Sequence, residues 1–188
     1  MSCFAGSEPS WRSEPSADGL RSLLRAREER AWLQRYLLDA FPGPDPCCVV
    51  QISLNIPGWP KSLPGEERAL RAGGRFFLLE TDDLARPQAG FSLVNAAGAA
   101  IIWSLSAPCG AFLVKERAVR VEEGPEWGRV IDIDVITGSG PLSRSSAGIA
   151  ARRCFFCGNE AKVCARTQAH PAKELRDEAG RLILLASS

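Results

Sequence analysis

Apolar and polar positions alternate along the chain with two different periods, and the changes of period mark the predicted elements. From Leu20 to about Ala40 there is no proline, and Leu, Ala, Arg and Glu dominate, which predicts a helix with Asp18 as its N-cap. Leu33, Tyr36, Leu37 and Ala40 supply its apolar face, while Arg27, Arg30 and Gln34 form a stripe that on its own reads as solvated surface. The segment Phe41-Pro42-Gly43-Pro44-Asp45-Pro46 stops the helix. Cys48 to Ile56 then alternates as a strand should, with Val50, Ile52, Leu54 and Ile56 on one face and Gln51, Ser53 and Asn55 on the other.

Glu66 to Ala72 predicts a short helix ended by Gly73-Gly74, and residues 76–79, 91–94, 100–105 and 118–122 read as strands. A last amphipathic helix is expected over Ala172 to Leu185, with Leu175, Ala179, Leu182 and Ala186 in register. These elements interleave without a regular βαβ rhythm. The expected class is α+β, a single domain over 19–188 with a mixed sheet and flanking helices. Residues 1–18 carry Ser-Glu-Pro-Ser twice, have little apolar surface, and are expected to be a disordered lead-in.

The most informative strand pattern is Gly128-Arg129-Val130-Ile131-Asp132-Ile133-Asp134-Val135-Ile136. Ile131, Ile133 and Val135 share one face, so Asp132 and Asp134 project together from the other, roughly 7 Å apart at the backbone. Two carboxylates facing one way must be solvated, paired with cations, or bridged by a divalent ion such as Mg²⁺. Asp-x-Asp alone is a common pattern and fits a solvated surface strand equally well. The β-branched flanks, however, hold this pair on a rigid element.

At 188 residues the chain suits one domain, and 23 Lys+Arg against 22 Asp+Glu leave a formal net charge of +1. Bulk charge therefore gives no reason to bind nucleic acid or an anionic membrane, and any anion must be held by a local cluster. No apolar run approaches a membrane span, and the first residues lack a basic start and apolar core for export, so a cytoplasmic protein is expected. Seven cysteines, an odd number, suit reduced thiols better than a disulfide framework. Three of them, in Cys154-x2-Cys157-x6-Cys164-x5-His170, stand close to the chain's only histidine. Four such ligands match a tetrahedral Zn²⁺ shell. Small buried thiols beside Phe155-Phe156, or a redox pair, are the alternatives. Arg152, Arg153, Lys162 and Arg166 surround this cluster and could attract phosphate or an acidic protein, although scattered arginines are also ordinary surface.

In chain order, Arg27-Glu28-Glu29-Arg30 with Gln34, Asn55-Ile56-Pro57-Gly58 with Lys61, Gly128-Arg129-x-x-Asp132-Ile133-Asp134-Val135, and Ser143-Arg144 form a series. It ends in Arg153-Cys154-x-x-Cys157, Ala161, Cys164-Ala165-Arg166 and His170. Over roughly residues 20 to 180 this series resembles the holo-citrate lyase synthase family, the apo-citrate lyase phosphoribosyl-dephospho-CoA transferases. The resemblance implies a cytoplasmic nucleotidyltransferase. Its reaction would move the phosphoribosyl-dephospho-CoA group from triphosphoribosyl-dephospho-CoA to a serine of the citrate lyase acyl carrier subunit, releasing pyrophosphate.

Combined with the acidic strand, the resemblance makes Asp132 and Asp134 the expected Mg²⁺ ligands, with Arg129 beside them as a catalytic residue. Lys61, Arg144, Asn55, Arg27 and Arg30 are the expected substrate contacts, and Glu122 is either a further acid at the site or a partner for Arg129. Cys154, Cys157, Cys164 and His170 would hold a structural Zn²⁺. Basic residues around the cluster or along the first helix offer a dock for an acidic carrier. Two competing readings are transfer to a malonate decarboxylase-type carrier, and a non-catalytic zinc-binding interaction module.

Overall fold

The computed structural model describes residues 14–41 and 47–187. Helix α1 (Ala17–Ala40) begins one residue before the expected cap: Ser16, not Asp18, is the N-cap, its hydroxyl accepting from the Gly19 amide at 3.2 Å. Most of the expected lead-in, 1–13, and the proline run 42–46 lie outside the described residues. Strand β1 (Cys47–Leu54) follows, then α2 (Glu66–Glu80), the hairpin β2 (Arg86–Asn95) and β3 (Gly98–Ser106), and α3 (Ala111–Glu123). A 3-10 turn (Glu126–Val130) leads into β4 (Ile131–Thr137), the two-residue β5 (Gly140–Pro141), the short α4 (Ala161–Thr167) and α5 (Ala172–Ala186).

The sheet order is β2-β3-β1-β4-β5, and every ladder is antiparallel, so the architecture is α+β as expected but the sheet is not mixed. Three sequence expectations for elements change with it. Residues 76–79 and 118–122 are helical, within α2 and α3, and the strand expected from Gly128 begins only at Ile131.

The glycines explain the first change. A Cβ at Gly73 would meet Ile131 Cδ1 at 3.0 Å, and one at Gly74 would meet Trp103 Cη2 at 3.1 Å. These residues let α2 lie close on the sheet rather than stop it, and the helix continues so that Phe77 is fully buried. In α3 the alternation Ala118-Val119-Arg120-Val121 resembles a strand, but burial of Val114, Ala118 and Val121 follows the helical period.

The main core lies on the sheet face formed by Val50, Ile52, Ile101, Ile131, Ile133 and Val135, covered by α2, α3 and α5. The opposite face carries α1, and a smaller cluster of Leu37, Val49, Ile102 and Ile136 pins that helix near its C-terminal end. Because side chains alternate along a strand, Asp132, Asp134, Gln51 and Ser53 share the α1 side with Ile136 and Val49. The site therefore opens between α1 and the sheet.

Candidate active site around the acidic strand

Beta4 sits beside β1 with Asp132 opposite Ser53 and Asp134 opposite Gln51. The carboxylates share a face, and both line a cavity of about 390 Å³ floored by the sheet and roofed by α1. From α1 come Leu23, Arg27, Arg30, Ala31 and Gln34, and from β1 and the following loop come Asn55, Ile56 and Lys61. Gln34 donates to Gln51 at 2.9 Å, fixing the amide next to Asp134. Burial first, and the charge of Asp132 second, push the Asp134 carboxyl up to about 6.

The edge of β4 away from β1 is closed by side chains. The Ile133 amide donates to Glu122 Oε1 at 2.8 Å, and Lys115 Nζ donates to the Ile133 carbonyl at 2.8 Å. Arg152 donates to the carbonyls of Ile131 and Arg129 at 2.6 and 3.0 Å and to the carboxylate of Asp132. Glu122 is buried and also pairs with Arg144, which in turn reaches Glu123. Asp132, Arg152, Glu122 and Arg144 thus form a charge-alternating chain, which holds β4 rigid where the carboxylates stand.

A second cavity, about 420 Å³, lies beyond that chain. Asp132 and Asp134 line it as well, together with Lys115, Leu142, Ser143, Arg144, Ile149, Arg152 and Lys162. The carboxylate pair is therefore shared between two openings.

The loop after β1 is held by one residue from the far end of the chain. Arg176 of α5 donates to the carbonyls of Pro57 and Pro60 at 2.9 and 2.8 Å, and to that of Ser62 at 2.8 Å. Lys61 Nζ donates to the Ile56 carbonyl at 2.8 Å. Burial, then the charges of Arg27 and Arg176, hold the Lys61 ammonium below its usual range. At Gly98, φ is +91° and a Cβ would stand 2.5 Å from the Lys61 carbonyl, so the tip of the β2–β3 hairpin closes on this loop only with glycine there. The Gly98 carbonyl accepts from Arg30 at 2.6 Å.

Cys154, Cys157, Cys164 and His170 bring one ligand atom each to within 4.8 Å of one another. Cys157 and Cys164 sulfurs are 3.5 Å apart, close to the roughly 3.8 Å that a tetrahedron of 2.3 Å Zn–S bonds requires. His170 Nε2 is buried without a hydrogen-bond partner among the described residues, which fits a nitrogen kept for a metal. The hairpin is shaped by backbone bonds, Cys154 N to Asn159 O at 2.6 Å and Gly158 N to Cys154 O at 3.0 Å.

Residues 19–185 match the family described as apo-citrate lyase phosphoribosyl-dephospho-CoA transferase. The chain belongs to this family of transferases. A probable apo-citrate lyase phosphoribosyl-dephospho-CoA transferase of Streptococcus pyogenes serotype M18 (strain MGAS8232) is 30% identical over 168 residues, 87% of this chain and 84% of the relative. One of the same description from Vibrio cholerae serotype O1 (strain M66-2) is 28% identical over 158 residues, 83% of each.

Against this family assignment, the residues expected from the sequence divide into groups. Asp132, Asp134, Lys61, Asn55, Arg27 and Arg30 meet in one cavity. Arg144 lines only the second cavity, with its guanidinium committed to Glu122 and Glu123. Arg129 lines neither; it donates to the Cys154 carbonyl and so ties the 3-10 turn to the cysteine hairpin. Glu122 pairs with Arg144 and Arg152 instead of Arg129.

The stripe Arg27, Arg30 and Gln34 lines the cavity; Arg30 is buried at 7% exposure and Gln34 half-buried, while Arg27 is exposed at the cavity's rim. Arg152, read from sequence as one of the basic residues around the cysteines that could attract phosphate or an acidic protein, grips Asp132 instead. Lys115 and Arg176 are residues the sequence did not single out. The signal for Lys115 is weak: it is the seven-residue spacing to Glu122 on one helix face, and that is visible only once 111–123 is known to be helical. No helix among the described residues is long and apolar enough to cross a membrane.

Proposed function

We propose that this protein transfers the phosphoribosyl-dephospho-CoA group from triphosphoribosyl-dephospho-CoA to a serine of the citrate lyase acyl carrier subunit, releasing pyrophosphate. The observation that carries the reading is the placement of Asp132 and Asp134 on one strand face, in a cavity they share with Arg27, Arg30 and Lys61. Attack by a serine hydroxyl on an α-phosphate needs positioning and neutralisation of charge on the leaving group, and little else from the protein.

Asp134, pushed up first by burial and then by the charge of Asp132, has no ion-pair partner among the described residues, and beside Asp132, which Arg152 already holds, it fits a divalent cation such as Mg²⁺. When bound, Mg²⁺ would supply Lewis-acid stabilisation of phosphate oxygens. The protein's own part is to keep β4 straight through Lys115, Glu122 and Arg152, to present basic side chains to the substrate's phosphates, and to hold the Lys61 loop through Arg176. Cys154, Cys157, Cys164 and His170 fit a structural Zn²⁺. A zinc ion there would stiffen the hairpin that carries Arg152.

The test is mass spectrometry of the apo carrier subunit after incubation with the protein, the precursor and Mg²⁺. A serine-linked adduct that is lost with Asp132→Asn, while folding is intact, supports the reading. Modification of a malonate decarboxylase-type carrier in place of the citrate lyase subunit, or no adduct at all, refutes it.

A further inference from the structure

The two cavities that meet at Asp132 and Asp134 differ in how their cations are already employed. In the first, Arg27 makes no hydrogen bond or ion pair among the described residues, and Lys61 gives one bond to a backbone carbonyl. Arg30 is 93% buried by its 7% exposure, bonds through Nη2 to Gly98 and Asn95, and leaves its buried Nε without any partner. A buried guanidinium N–H with no acceptor is costly, and Lys61 and the exposed Arg27 face the same cavity without an ion-pair partner among the described residues. Asp132 and Asp134 line the same cavity, but Asp132 is already held by Arg152, so three cations face one unpaired carboxylate and an anion such as pyrophosphate is favoured there. In the second cavity the cations are mostly satisfied: Lys115 on the Ile133 carbonyl, Arg144 on Glu122 and Glu123, and Arg152 on Asp132. Its remaining wall includes Leu142 and Ile149, with Lys162 at the side.

We infer that the carboxylate pair separates two subsites: the first cavity binds the leaving pyrophosphate, and the second admits the acceptor serine. This rests on the transfer reading above. In-line displacement places the attacking and leaving oxygens on opposite sides of the phosphorus. The serine Oγ–P bond forms on the Arg152 side while the bond from phosphorus to the bridging oxygen breaks on the Arg27 side. The hydroxyl proton is lost to solvent, and the electron pair leaves with pyrophosphate.

The experiment is calorimetric titration of the full-length protein with inorganic pyrophosphate and Mg²⁺, alongside steady-state transfer to the carrier. Arg27→Ala and Lys61→Ala should each weaken pyrophosphate by about tenfold or more, the loss of one charge-assisted contact. Lys162→Glu should leave pyrophosphate affinity within about twofold and raise the carrier KM by about tenfold.

Pyrophosphate affinity indifferent to Arg27→Ala and Lys61→Ala, or as sensitive to Lys162→Glu as to these, overturns the partition even if transfer occurs. Pyrophosphate binding that depends on Arg27 and Lys61 in a protein that modifies no carrier keeps the anion subsite. It overturns the acceptor subsite together with the transfer reading.

Discussion

Replacing Asp134 by asparagine separates what the site costs from what it does. The Asp134 carboxyl titrates at about 6 rather than 3.8, with burial as the largest cause and the charge of Asp132 as the next. The folded protein therefore holds this proton more tightly than the unfolded chain. Stability falls as pH rises from about 4 to about 6, and the cost is fully present above 6. A displacement of about two pH units at 1.36 kcal/mol each amounts to about 3 kcal/mol. Asparagine keeps the shape and cannot ionise.

In EDTA at pH 7.5, Asp134→Asn should therefore be more stable than the parent by about 2 to 3 kcal/mol, or about 5 to 10 °C in Tm for a chain of this size. At pH 4 the two proteins should melt together, because the parent is then protonated. Adding Mg²⁺ should raise the parent's Tm more than the variant's, by mass action on the carboxylate pair. Paired thermal melts across pH 4 to 8 measure all three. A variant no more stable than the parent at pH 7.5, or a gain that persists undiminished at pH 4, would refute the account of Asp134 as a strained acid.

Leu37 is fully buried in the small cluster that pins α1, so Leu37→Ala should cost about 2 to 5 kcal/mol in urea unfolding. Losing the roof should also raise the KM of the precursor. Arg176→Met removes three bonds to the loop carrying Lys61, and hydrogen exchange over residues 57–62 should quicken by about tenfold or more while exchange in β4 is unchanged. The purified protein should carry one zinc per chain by elemental analysis, and Cys164→Ser should remove it, with a lower Tm. Gly98→Ala should destabilise by about 2 kcal/mol or more, because the new Cβ would meet the Lys61 carbonyl at 2.5 Å in a left-handed conformation.

Local pattern alone determined much of this protein. The alternation around Asp132 and Asp134 placed both carboxylates on one face, because side-chain direction in a strand depends only on parity. The spacing of three cysteines and one histidine announced a four-ligand cluster, since a short hairpin brings near neighbours together whatever the rest does. The long first helix and the α+β class were readable for the same reason.

Tertiary structure decided the rest. Whether Arg30 faces water or a cavity depends on what α1 lies against, and that partner is a sheet assembled from strands that start 17 to over 100 residues downstream. Gly73 and Gly74 read as a stop because a missing side chain weakens a helix in isolation, yet against Ile131 and Trp103 the missing side chain is what allows contact. From the sequence Arg129 is expected beside the acidic pair and Arg152 around the cysteines. Only packing sends one to a carbonyl of the cysteine hairpin and the other to Asp132, because an arginine takes whichever acceptors the folded chain leaves within its reach.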